Sequence, residues 1–158
     1  MANDTKKNAV KGIIFDLDGV LVDTDICHYL SWKNIADSLG IPFDEDINHL
    51  IRGVSRRESL MIINNGRLKF SEDEIEKIME DKNSVYIEMI KRRGKSLLIP
   101  GALEFVTKLK NMSYKLAVSS CSRNVNTILE VSGLGQKWFD AVVDGNMIAK
   151  SKPDPEIF

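Results

Sequence analysis

The stretch FDLDGVLVDTD, residues 15–25, sets Asp16, Asp18, Asp23 and Asp25 directly behind the apolar run Gly12-Ile13-Ile14-Phe15. Residues two apart on an extended chain project the same way, so Asp16 and Asp18 can share one site. Gly19 then lets the backbone turn tightly. Two oxygen-donor carboxylates suit Mg²⁺, which keeps several waters and often bridges to a phosphate. One carboxylate can attack phosphorus to give an aspartyl phosphate while the other handles the proton. Two unit charges about 4 Å apart repel by roughly 4 kcal/mol at an effective dielectric near 20, so an anion attacking an anion needs a cation between them. Taken alone, the D-x-D pair fits an inert, solvated turn as well.

The surrounding pattern supplies a frame for such a site. Residues 12–16 are a short apolar run with β-branched members, the pattern of a buried strand. Trp32, Ile35, Ala36 and Leu39 then stand at helical spacing, stopped by Gly40 and Pro42. A second helix is predicted over 55–65, where Ser55 and Glu58 have capping-box spacing. Ser71 and Glu74 repeat the box ahead of a helix running to about Arg92. After Pro100-Gly101 the segments alternate: helix 102–110, strand 115–119, helix 125–131, strand 141–143. Strands separated by helices imply a parallel sheet. The predicted organisation is α/β, with a core of residues 1–24 and 97–158 interrupted after its first strand by an α-helical insert over 25–96.

In a parallel sheet, ligands bind beyond the carboxyl ends of the strands, which is where Asp16 falls. Asp23 and Asp25 are expected to start the first helix, whose positive end favours acids. Other ligand motifs fail. Gly94-Lys95-Ser96 resembles the end of a P-loop, but Met89 stands where that loop needs glycine. Gly133 and Gly135 begin a G-x-G whose third glycine is Trp138, and an EF-hand register over Asp16 and Asp18 puts Cys27 at the glutamate position. With 22 basic and 23 acidic residues the chain is nearly neutral, which argues against nucleic acid or a membrane surface as partner. Cys27 and Cys121 fit no zinc spacing and read as free thiols. No apolar run approaches the ~20 residues of a membrane span, and MANDTKKNAV lacks the apolar centre of a secretory leader. A cytoplasmic protein is expected.

Residues 11–25, KGIIFDLDGVLVDTD, resemble almost letter for letter the first signature of the haloacid dehalogenase-like phosphotransferases. The resemblance implies a Rossmann-like parallel core with a helical cap, Mg²⁺ as cofactor, Asp16 as phosphoryl acceptor and Asp18 as general acid/base. It also implies that Asp16 gives Mg²⁺ a carboxylate and Asp18 its main-chain carbonyl. Strand 115–119 runs into Ser120-Cys121-Ser122-Arg123-Asn124, a hydroxyl-rich turn that offers hydroxyls and backbone N–H groups to a phosphate and equally suits a helix cap. By resemblance Ser120 contacts the transferring phosphate, with Ser122 and Asn124 beside it. Lys152, in SKPDP, matches the lysine that balances nucleophile and phosphate charge.

Within the family, Thr24, His28, Trp32, the segment RGVSRRESL (52–60) and Lys82 resemble the cap of the β-phosphoglucomutase-like members. This assigns Thr24, His28, Trp32, Arg52, Gly53, Val54, Arg56, Ser59 and Lys82 to a sugar-phosphate substrate. Lys82 falls inside an apolar stripe of Ile75, Ile78, Met79, Val85, Tyr86, Met89 and Ile90, where a charge must either snorkel or meet an anion. Arg56 stands near a helix start, where the dipole does not favour a cation, and it resembles the arginine that grips the non-transferring phosphate.

The implied chemistry is interconversion of β-glucose 1-phosphate and glucose 6-phosphate through an aspartyl phosphate and a bisphosphate. The alternatives are a sugar-phosphate phosphatase of the same fold and a non-catalytic remnant. The family pattern continues past Lys152 with further strands and an acidic pair that completes the metal site, whereas six residues follow here. The expectation is therefore a truncated core with its first strand at an open edge, a monomer when complete and prone to self-association otherwise.

Overall fold

Gly12–Phe15 forms the first strand, β1, because its β-branched residues suit an extended chain packed on one face. Phe15 is buried, whereas Ile14 on the opposite face is half-exposed. The computed structural model describes residues 10–150 and 152–158. The rest of MANDTKKNAV, the start of the expected core segment and Ser151 of SKPDP lie outside the described residues.

After β1 come helices α1 (Asp25–Ser38), α2 (Glu45–Leu50), α3 (Arg56–Asn64) and α4 (Glu72–Arg93). Then follow α5 (Ala102–Asn111), β2 (Lys115–Ser119), α6 (Val125–Ser132) and β3 (Ala141–Val143). Short 3₁₀ turns occupy Gly94–Leu97, Gln136–Trp138 and Pro155–Ile157. The strands form one parallel sheet in the order β1-β2-β3. Gly12 pairs with Lys115 and Phe15 with Val118, while Ala117 pairs with Ala141 and Ser119 with Val143. This is the α/β architecture expected, with β1 at one edge among the described strands. Contacts divide the chain into two compact units, one of Thr24–Leu97 and one of the residues up to Asp23 together with Leu98–Phe158.

In the sheet unit, Leu17, Leu21 and Val22 are buried behind Asp16, and the carbonyl of Leu17 accepts the N–H groups of Leu21 and Val22. Gly19 sits at φ 77°, a left-handed conformation that favours glycine, and so closes the turn. Phe15 meets Phe105 and Phe139 edge-on, and Leu116, Val118, Ile128 and Leu129 complete the interior.

In the helical unit, Trp32, Ile35, Phe43, Leu60, Ile63 and Ile75 form one core. Each fully buried aliphatic side chain contributes roughly 1.5–3 kcal/mol. Helix α4 starts with a reciprocal capping box between Ser71 and Glu74 and ends with Lys91, Arg92 and Arg93, where the dipole favours cations. At α3 only half of the expected box forms: Ser55 accepts the Glu58 N–H. Six-residue α2 is too short for periodicity to reveal, although Asp44 at its N-cap accepts the Ile47 N–H at 2.9 Å. Among the described residues, no helix is long and apolar enough to cross a membrane.

Candidate active site

The parallel register brings three strand ends together: Asp16 just beyond β1, Ser120 beyond β2 and Asp144 beyond β3. Asp16 keeps 45% of its side chain exposed, and its Oδ1 lies 3.2 Å from Lys152 Nζ. That same oxygen accepts the Leu17 N–H at 2.8 Å. Lys152 also donates to the Ser119 carbonyl at 3.1 Å, which ties the lysine to the end of β2. The Ser120 hydroxyl, nearly buried, donates to Asp18 Oδ2 at 3.4 Å. Asp16 is thus paired with Lys152, and Asp18 with Ser120, at the adjacent ends of β1 and β2, with Leu17 turned into the core between the two acids.

The 120–124 turn is held by its own hydroxyls. Ser120 Oγ accepts the Ser122 N–H at 3.1 Å, and Ser122 Oγ accepts the Asn124 N–H at 3.2 Å. Asn124 occupies the N-cap of α6 without a side-chain cap bond. The chain leaving β3 packs on this turn. Gly145 N–H donates to the Ser122 carbonyl at 2.9 Å, and a Cβ at Gly145 would stand 2.2 Å from the Cys121 carbonyl oxygen. Cys121 itself is exposed and Cys27 buried, and neither forms a disulfide among the described residues.

Among the described residues, no three His, Cys, Asp or Glu side chains gather into a metal cage. Mg²⁺ does not require one, since it usually takes one or two carboxylates and fills its shell with water and substrate phosphate. The half-exposed Asp16 carboxylate, beside the Lys152 ammonium, fits that donor chemistry. Asp144 is buried and turned to its own loop, accepting the Asn146 N–H at 2.8 Å.

The helical unit carries a second polar cluster. Lys82 on α4 is only 3% exposed, which removes the snorkelling alternative. Its Nζ lies 3.1 Å from His28 Nδ1, 4.7 Å from the Tyr86 ring centroid and 5.4 Å from that of Trp32. The ammonium is therefore met by an imidazole and two aromatic faces. The His28 and Tyr86 rings are 4.4 Å apart. Desolvation by burial, and then the charges of Lys82 and Arg56, lower the His28 pKa to about 3. The neutral ring can accept a hydrogen bond from the Lys82 ammonium at Nδ1. Arg56, the first residue of α3, donates to Asn83 Oδ1 at 2.9 Å and reaches the Met79 carbonyl at 3.5 Å.

A pH dependence follows from His28. The unfolded imidazole binds a proton below about 6.5 while the folded one stays neutral down to about 3. Stability should therefore fall as pH drops through that window, by at most about 1.4 kcal/mol per pH unit. Denaturant titrations at pH 7.5 and 5 should show the loss in the wild type and a smaller one in His28→Gln; equal losses would refute the assignment.

Other expected substrate residues have local roles. Thr24 is buried at the N-cap of α1. Arg52 pairs with Asp25, which starts α1, so these two exposed groups largely satisfy each other. Gly53 has φ 78° and Val54 is half-buried. The Ser59 hydroxyl donates to the Ser55 carbonyl at 3.0 Å, inside its own helix. Asn83 and the Ser119 carbonyl were not legible beforehand: an asparagine beside Lys82 and a main-chain acceptor carry no motif.

Residues 13–158 match the haloacid dehalogenase-like hydrolase family. The chain belongs to that family. It is 40% identical to the β-phosphoglucomutase of Bacillus subtilis (strain 168) over 94% of its own length and 67% of the relative's. It is 36% identical to a phosphorylated carbohydrates phosphatase of Thermotoga maritima, over 94% of this chain and 68% of that one. The fold superposes on a crystal structure of β-phosphoglucomutase from Clostridium difficile with TM-score 0.85 and 35% identity, covering 95% and 68% of the two chains. The protein thus spans about two thirds of the length of these relatives. As a haloacid dehalogenase-like protein it falls among phosphotransferases and hydrolases, and the β1-β2-β3 sheet with its helices is that family's fold.

Proposed function

We propose that this protein is a sugar-phosphate mutase that interconverts β-glucose 1-phosphate and glucose 6-phosphate through phosphorylated Asp16. The observation that carries the proposal is the presence of two separate cationic sites. Lys152 lies beside a carboxylate nucleophile in one, and Lys82 and Arg56 lie around a neutral histidine in the other. A mutase must hold a phosphate at each end of its bisphosphate, whereas a phosphatase needs only one such site.

In this reading Lys152 and the Leu17 N–H engage Oδ1 of Asp16, which leaves Oδ2 to attack phosphorus. The Oδ2–phosphorus bond forms as the phosphorus–oxygen bond to the leaving group breaks, and Asp18 supplies that oxygen's proton. In the second half Asp18 takes a proton from a sugar hydroxyl, which attacks the phosphoryl group and frees Asp16. Mg²⁺, when held by the Asp16 carboxylate and the Asp18 carbonyl, would neutralise charge on the transferring phosphoryl group. Ser120 steers Asp18 through its hydroxyl, and Lys152 screens Asp16 from the incoming anion.

The decisive assay supplies β-glucose 1-phosphate with Mg²⁺ and a trace of glucose 1,6-bisphosphate. Glucose 6-phosphate should accumulate well ahead of inorganic phosphate. Asp18→Asn should slow turnover by about 10²–10⁴-fold, the usual worth of a general acid/base. Phosphate release with no isomerised sugar would instead select a phosphatase, a reading favoured by the Thermotoga relative.

A further inference from the structure

We infer that Glu156 is a positioning residue that presents Lys152 to Asp16, an inference that rests on the phosphoryl-transfer reading above. Lys152 lies on a loop that leaves β3 and returns to the core. A long lysine side chain on such a loop loses much rotational freedom when it must meet both Asp16 and the Ser119 carbonyl. Something must hold the backbone from which it projects.

The Glu156 carboxylate does this from the far side of the loop. It accepts the Lys150 N–H at 2.8 Å and the Ala149 N–H at 3.1 Å. Charge-assisted bonds of this kind are shorter and stronger than neutral ones. Glu156 is fixed in turn. Its own N–H donates to Asp154 Oδ1 at 3.0 Å, at the N-cap of the 3₁₀ turn Pro155–Ile157. The next residue, Ile157, is 1% exposed and anchors that turn in the core. Asp154 closes the ring from a second point, 3.5 Å from Lys150 Nζ. The clamp therefore joins position 149–150 to position 156 with Lys152 between them. Glu156 is itself exposed, so the chain spends a carboxylate there on backbone amides and not on core packing.

The test uses the full chain with Mg²⁺, an aryl phosphate as phosphoryl donor, inorganic phosphate as competitive inhibitor, and thermal melting. Misplacing a reacting group by about 1 Å can cost on the order of 10²-fold in rate. Glu156→Ala should accordingly lower kcat by about 10–100-fold and weaken inhibition by phosphate, with the melting transition still cooperative. Glu156→Gln keeps a carbonyl acceptor and should recover most of the rate. In a Lys152→Ala background, Glu156→Ala should add less than about twofold, because the residue acts through the lysine. The inference is overturned if Glu156→Ala keeps kcat within twofold while Lys152→Ala loses it. It is equally overturned if Glu156→Gln is as impaired as Glu156→Ala, or if the two alanine effects multiply. Wild-type rates in Lys152→Ala would sink the phosphoryl-transfer reading instead, so the two failures are separable.

Discussion

Asp16→Asn should abolish turnover, by about 10⁴-fold or more in kcat, as removal of a covalent nucleophile does in other enzymes. The amide is nearly isosteric, and Asp16 is half-exposed, so folding should survive. The residual amide cannot attack phosphorus, and it leaves Lys152 without the carboxylate 3.2 Å away. Mass spectrometry of the enzyme quenched during turnover should show a phosphorylated species in the wild type and none in the variant. Activity within tenfold of wild type, or phosphorylation on another residue, would remove the mechanism altogether. Because Leu17 N–H also binds Oδ1, the asparagine retains that contact through its carbonyl oxygen. The comparison therefore isolates the chemistry from the local fold.

Arg56→Ala should separate the two halves of the reaction. Truncating one member of a hydrogen-bonded charge pair typically costs ~2–5 kcal/mol, which corresponds to roughly 30- to several thousand-fold. If Arg56 grips the phosphate that is not being transferred, isomerisation should fall by about that factor. Phosphorylation of Asp16 by an aryl phosphate, which has no second phosphate, should change by less than about threefold. The expectation draws on the position of Arg56 at the start of α3, where its guanidinium is held by the neutral acceptors Asn83 Oδ1 and Met79 O. Equal loss in both assays would count against the second phosphate site.

Much of this was legible from residue order. The alternation of apolar runs and amphipathic stretches marked every strand and all helices but α2, because strand and helix periods are local properties of five to fifteen residues. Short elements escaped for the same reason: α2 and the turn Pro155–Ile157 have too few residues to express a period. At the site, Asp16 and Asp18 announced themselves by charge crowding beside an apolar run. Lys82 did so by interrupting an apolar stripe, but its partner is set by the tertiary fold, since a sequence cannot say whether a lysine bends outward or meets an imidazole 3.1 Å away. Arg52 shows the converse, a cation in the turn after α2 whose partner Asp25 lies at the start of α1.

By itself the sequence determined the local conformations and marked Asp16 and Asp18 as candidate site residues, because dihedral preference, hydrophobic period and the types of residue near a strand end depend on neighbours along the chain. Only the tertiary structure decided which groups meet. The parallel register brought the ends of β1 and β2 side by side and so joined Asp16 to Lys152 and Asp18 to Ser120, more than a hundred residues apart. Packing of α1 against α4 likewise desolvated His28 beside Lys82 and set its protonation. Burial and through-space charge depend on contacts between distant segments, and no linear pattern encodes their distances.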